Sequence, residues 1–144
     1  MTPEERDAFL TEQKVCRVAT VSAGGRPHVS PLWYAWDGES LWLYSVVRSQ
    51  RWKDLERDPR VSVVVDAGED AYLELRGVEL SGRAEVVGEV PRTGEPGHPE
   101  LEGVERLYFG RYHGGDATHD GRHAWLRIRP DRQYTWDFRK IPGA

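Results

Sequence analysis

Hydrophobic and polar positions along this chain switch between two periods. From Val15 to Ser22 the residues alternate loosely and are β-branched, which predicts a strand. Ala23-Gly24-Gly25-Arg26 predicts a turn, and Pro27 to Trp36 a second strand. Pro31 in the middle of that strand cannot donate to a ladder, so it marks an edge, a bulge or an opened pairing. An opened strand leaves backbone groups available to a ligand. Asp37-Gly38 predicts a hairpin into a third strand, Leu41 to Ser45. The short apolar run from Arg60 to Asp66 predicts a buried central strand, turned by Ala67 to Asp70. Ala71 to Glu89 predicts one long strand or a bent pair, with Gly77 and Gly82 as bends of the kind a small barrel needs. Trp125 to Arg129 and Gln133 to Phe138 predict the last two strands, split at Pro130-Asp131.

Three stretches follow the helical period instead. Thr2-Pro3-Glu4-Glu5 is a capping box, and Phe9 with Leu10 gives the helix behind it a small apolar face. Glu100 to Tyr112 carries Leu101, Val104, Leu107 and Tyr108 at helical spacing. Between Ser49, an N-cap residue, and Asp58, which precedes Pro59, a short helix buries Trp52 and Leu55 on one face. Pro91 to Pro99 and His113 to His123 predict loops. The sum is a mainly β (α+β) fold, a six- or seven-stranded antiparallel barrel with short helices at its ends. The length predicts one domain over residues 1–144.

The Ser49 helix is charged against its own dipole. Arg48, Arg51 and Lys53 crowd its start, while Asp54, Glu56 and Asp58 follow. A helix N-terminus favours acids, so each misplaced charge costs a few tenths to roughly 1 kcal/mol. The cost vanishes if an anion sits there, and a solvated basic patch is the other reading. The residues thus suggest the phosphate pocket of a nucleotide-like cofactor. Lys53 lies about 200° round the helix from Arg51, so the two cannot both point straight at one phosphate.

Composition narrows the function. A net charge of −4 argues against nucleic acid as partner, and no apolar run is long enough to span a bilayer. The single cysteine, Cys16, excludes an internal disulfide, fits a reducing cytoplasm and reads as a buried, inert thiol. Six Trp and six Tyr are many for 144 residues and suit a docked planar ligand or a partner subunit. A small barrel fills its own interior, so a flavin-sized ligand must sit in an outer groove. A two-fold dimer would cover the exposed aromatic strands and close that groove. Trp33, Trp125 and Trp136 are candidates to stack on a ligand or to pack in a core or subunit contact. His113, Asp116, His119, Asp120 and His123 crowd one loop, but their spacing matches no zinc motif and no resident metal is expected.

Several of these stretches carry a resemblance. Gly-Arg-Pro-His-Val-Ser-Pro-Leu-Trp follows the strand Val-Ala-Thr-Val. Ser-x-Arg-x-x-x-Leu-x-x-Asp-Pro-Arg-Val-Ser then runs from Ser49 to Ser62, and Val-Glu-Leu-Ser-Gly-Arg-Ala-Glu comes after it. From about Glu12 to Lys140 the chain resembles the pyridoxamine 5'-phosphate oxidase-like split β-barrel superfamily, and within it the branch that uses the deazaflavin coenzyme F420. The resemblance implies a cofactor phosphate against Arg51, helped by Arg48 and Ser49, with Lys53 reaching a carboxylate tail or solvent. It implies further cofactor contacts from Val29, Ser30, Pro31, Leu32, Tyr44 and Ser45. It also implies an F420-dependent reductase that passes hydride to a small unsaturated or planar substrate, as a homodimer with the groove at its interface. FMN is the alternative cofactor, and a non-catalytic carrier of a cofactor or haem is the alternative function. His28 is the candidate proton donor. The vitamin B6 oxidase has basic residues on its second strand and an Arg-x-His near its end. This chain has His28, Ser30 and Arg127-x-Arg129, which argues against pyridoxamine phosphate as substrate.

Overall fold

The computed structural model describes residues 1–112, 114 and 119–142. Its elements are α1 (Pro3–Glu12), β1 (Val15–Val21), β2 (Pro27–Trp33), β3 (Ala35–Trp36), β4 (Leu41–Val46), α2 (Gln50–Arg57), β5 (Arg60–Ala67), β6 (Arg76–Val87), α3 (Pro99–Tyr112) and β7 (His123–Asp137). Every strand pairing is antiparallel, and the spatial order is β2-β1-β5-β6-β7-β4-β3. The seven strands curl into a split barrel. β2 forms one edge, as Pro31 requires, and pairs only with β1. Among the described residues no helix is long and apolar enough to cross a membrane.

Three strand boundaries differ from the sequence expectation. The expected strand from Pro27 to Trp36 breaks at Tyr34. Its buried hydroxyl donates to the carbonyls of Leu10 (2.6 Å) and Gln13 (3.1 Å), which caps the end of α1. Its own carbonyl accepts from the Tyr112 hydroxyl at 2.8 Å instead of joining a ladder. The expected strand from Ala71 starts instead at Arg76, after a 3-10 turn at Tyr72–Glu74. The last two expected strands are one, β7, because the Pro130-Asp131 interruption is a bulge. Ser81 pairs with Arg132 and Gly82 with Pro130, which leaves Asp131 over.

Two cores flank β4. Inside the barrel, Val18, Val61, Val63, Leu43, Leu126 and Ile128 meet Phe9 and Leu10 of α1 and Trp52 and Leu55 of α2. On the other face, Leu101, Val104, Tyr108 and Phe109 of α3 pack on Trp42, Tyr44 and Trp125. Leu41 to Ser45 is therefore buried on both faces, which explains its unbroken apolar run.

Candidate functional site

α2 starts where the chain leaves β4. The Ser49 hydroxyl accepts the Trp52 N–H at 3.1 Å, the N-cap bond that its residue type predicts. With Trp52 and Leu55 turned into the barrel, Arg51 and Asp54 are carried under the helix and buried as well. The Arg51 guanidinium then lies in the split of the barrel. Its Nη1 donates to Ser30 Oγ of β2 at 2.7 Å and its Nε to Ser45 Oγ of β4 at 3.2 Å, two strands that do not pair with each other. Arg51 is 8% exposed, and among the described residues no carboxylate pairs with it. Burial pushes its pKa below the usual arginine value. Two neutral hydroxyls compensate a buried cation poorly, so the site is complementary to an anion.

A cleft of about 290 Å³ opens onto this guanidinium, walled by Leu32, Trp33, Tyr44, Val46, Tyr108 and His123. Its aromatic walls are braced. Trp33 stacks on Tyr112 with centroids 4.5 Å apart and planes within 6°. Tyr112 is fixed in turn by donating to the carbonyls of Tyr34 and Lys14. Tyr44 stacks on His123 at 4.8 Å and 18°. The His123 Nδ1 meets Asp120 Oδ2 at 2.6 Å, and Asp120 Oδ1 accepts the N–H groups of Arg122 and His123. A flat aromatic slot ending in a buried, unneutralised guanidinium suits a planar ligand with a phosphate or carboxylate.

A family model described as pyridoxamine 5'-phosphate oxidase matches residues 2–137. The chain belongs to that family. Among solved structures it is similar to the conserved hypothetical protein Rv2991 from Mycobacterium tuberculosis, at 34% identity and a TM-score of 0.81, covering 98% of this chain and 88% of that one. It shares the fold of an F420 reductase (23% identity, TM-score 0.65, 92% and 98% coverage). It also shares that of the heme storage protein HutZ from Vibrio cholerae (21%, TM-score 0.71, 91% and 92%). No match was found among curated proteins.

In this member of the oxidase family, the expected cofactor residues fall into separate groups. Leu32, Tyr44 and Arg51 line the cleft, and Ser30 and Ser45 hold the guanidinium behind it. Ser49 serves as the helix cap. Val29 and Pro31 alternate with Ser30 and Leu32 along β2, so their side chains stand on the opposite, exposed face. Arg48 and Lys53 are exposed, Arg48 lines a neighbouring cleft, and neither reaches Arg51's cleft. The backward charge pattern of α2 thus resolves into one buried cation and two solvated ones.

His28 lies off the cleft. Its Nδ1 is buried without a hydrogen bond, 4.0 Å from Asp54 Oδ2. Burial pushes Asp54 up, but hydrogen bonds from Thr20, Gln50 and Ser22 outweigh this and hold it below the usual aspartate range. Cys16 is fully buried and its thiol is pushed up to about 12 by that burial, as an inert core cysteine would be. Trp125 is a core residue whose Nε1 donates to Glu105. Trp136 is half-buried over Gly77, where a Cβ would meet its ring at 2.2 Å. His113 and Asp116 lie outside the described residues. Among the described residues no three His, Cys, Asp or Glu side chains gather as a metal site would need. Sequence reasoning missed Tyr108 as a cleft wall. It stands at a helical core position, and its spacing carries no mark of the second role.

Proposed function

We propose that the chain is an F420-dependent oxidoreductase that binds the deazaflavin in the aromatic cleft with its phosphate on Arg51. The supporting observation is the buried guanidinium that has hydroxyl partners and, among the described residues, no counter-charge, set at the end of an aromatic slot. The residues fit the group: Arg51 offers charged donors to the phosphate, and Trp33 and Leu32 offer apolar surface to a tricyclic ring, with Tyr44 and His123 forming the wall beside it. When bound, the reduced deazaflavin supplies hydride to an electron-poor C=C or C=N bond of a small substrate. The chain's part is to orient the ring, exclude water from it and stabilise the phosphate. FMN fits the same donors and is the alternative cofactor.

The reading includes a homodimer. On the outer face of β1 and β2, Val15 stands beside Trp33 and Ala19 beside Val29, with Val29 65% and Trp33 41% exposed. The one charge among the β1 residues of that face, Arg17, is paired with Asp66. A partner copy on this face would bury the patch and complete the cleft beside Trp33.

A second reading, a non-catalytic haem-type carrier, is favoured by one observation. His123 lines the cleft with its Nδ1 held by a carboxylate, the arrangement that orients a metal-ligating imidazole. Parallel titration with F420, FMN and haem, followed by oxidation of the reduced cofactor by a panel of acceptors, separates the readings. Tight F420 binding with turnover supports the reductase. Haem binding that is lost in His123→Ala, without turnover, overturns it.

A further inference from the structure

Beside the aromatic cleft lies a larger one that the proposed reading leaves unused. It encloses about 520 Å³, and its walls are Val46, Val47, Arg48, Pro91, Gly121 and Arg122. Three separate segments meet there and are tied by backbone bonds. The Val47 N–H donates to the Arg122 carbonyl at 2.9 Å, and the Arg92 N–H to the His123 carbonyl at 2.8 Å. Among the described residues the walls hold two arginines and no acid. Asp120, two residues before Arg122, is already committed to two backbone N–H groups and the His123 ring. Among the described residues neither Arg48 nor Arg122 has an ion pair. In a chain of net charge −4, a cleft whose described lining carries two arginines and no carboxylate is a local inversion of sign.

The two clefts are neighbours. Val46 lines both, and Arg122 and His123, adjacent in the chain, line one each. We propose that the Arg48–Arg122 cleft is a second anion subsite, filled by a carboxylate or phosphodiester on the tail of the ligand whose first anionic group meets Arg51. The occupant rests on the function proposed above. The subsite would select cofactors with two separated anionic groups over FMN, whose one phosphate ends the molecule. Guanidinium groups suit either anion because both accept paired N–H donors.

The test titrates wild type, the double variant Arg48→Ala/Arg122→Ala, and Arg51→Ala with FMN, FAD and F420 carrying its glutamyl tail. Both exposed arginines can be removed without opening a core. Loss of about tenfold in affinity for a tailed cofactor, with less than about twofold for FMN, is the expected result. A loss confined to F420 identifies a carboxylate reader, and one confined to FAD a pyrophosphate reader. Equal losses for FMN and the tailed cofactors, or no loss for either tailed cofactor while Arg51→Ala still weakens binding, overturn the subsite alone. Indifference of all three cofactors to Arg51→Ala, or no binding by wild type, overturns the proposed function with it.

Discussion

Arg51 and Arg92 are both buried guanidinium groups, 8% and 2% exposed, and the protein treats them in opposite ways. Arg92 is met from two sides. Its Nε and Nη2 each donate to Glu105 at 3.0 Å, and its Nη1 to Glu89 at 2.7 Å. Glu105 also accepts from Trp125 Nε1 and lies 3.0 Å from His119 Nε2, so the network ties the loop after β6 to α3 and β7. Arg51 has two serine hydroxyls and, among the described residues, no acid. Desolvating an ion costs several kcal/mol unless charge and geometry repay it. Repaid internally, Arg92 is a structural rivet. Arg51 would be compensated in the same way only by an anion from outside the chain, as the proposed function supposes. Burial alone therefore does not set a guanidinium apart; what distinguishes Arg51 is burial without a counter-charge among the described residues, the feature on which the proposed phosphate contact rests.

The contrast breaks most visibly at Glu105. Glu105→Ala leaves Arg92 buried with half its compensation, and should destabilise the fold by about 3–5 kcal/mol. Thermal denaturation should then show a drop on the order of 10 °C. A shift of only a degree or two would mean that water replaces the carboxylate and that Arg92 is no rivet.

Removing Arg51 should act on affinity instead. Arg51→Met deletes an uncompensated cation and keeps the volume, so the unliganded protein should melt at the same temperature or higher. Its affinity for F420 or FMN should fall at least about tenfold, the worth of one charge-assisted hydrogen bond. Calorimetric titration checks the second effect. A melting temperature lowered by several degrees with affinity intact would reverse the assignment of the two arginines.

Acid sharpens the same comparison. Burial pushes Glu89 up, but bonds from Arg92 and Thr93 prevail and bring it to about 2. Burial likewise opposes ionisation of Glu105, and Arg92, Trp125 and His119 hold it below the ordinary carboxylate range. Groups depressed in the folded state stabilise it fully above their unfolded pKa, near 4.5, and lose that contribution as pH falls toward the folded value. Melting temperature should therefore decline from pH 4.5 toward 2, less steeply in Glu105→Gln, whose loss is already taken. Equal slopes in the two proteins would remove Glu105 from the acid limb.

The division between the two arginines was half legible in the sequence. The Ser49 cap, the Asp58 stop and the 200° separation of Arg51 from Lys53 follow from local chemistry and helical geometry, and the fold obeys them. So does the alternation that gives β1 its buried face, whereas β5, whose apolar run predicts a buried strand, fully buries only Val61, Val63 and Val65. Arg92 was invisible, because it sits in a Pro- and Gly-rich stretch read as a loop, and its partner Glu105 lies 13 residues away on a helix. No local pattern records such a pairing. Alternation along β2 was legible too: Ser30 and Leu32 share one face and Val29 and Pro31 the other, so any ligand contact from the second pair would come through their backbone. The Tyr34 break needed the end of α1, and the merging of β7 needed β6 beside it. Both are tertiary facts that override a local signal.

The smallest effect asks whether Arg51 recognises the anion itself or only a whole cofactor. Inorganic phosphate binds weakly to one guanidinium, and at ten times its dissociation constant it stabilises the folded state by about 1.4 kcal/mol. For a chain of this size that is a rise of a few degrees in melting temperature. Wild type should show the larger rise, growing with the logarithm of phosphate concentration, and Arg51→Met a smaller one, since only the exposed arginines outside the aromatic cleft are then left to take the anion. Chloride at matched ionic strength controls for screening. The same rise in both proteins would place the effect on general salt stabilisation. No rise in wild type, with F420 still binding through Arg51, would show that the aromatic walls must be filled before the guanidinium engages its anion, and binding would then depend on the ring more than on the charge.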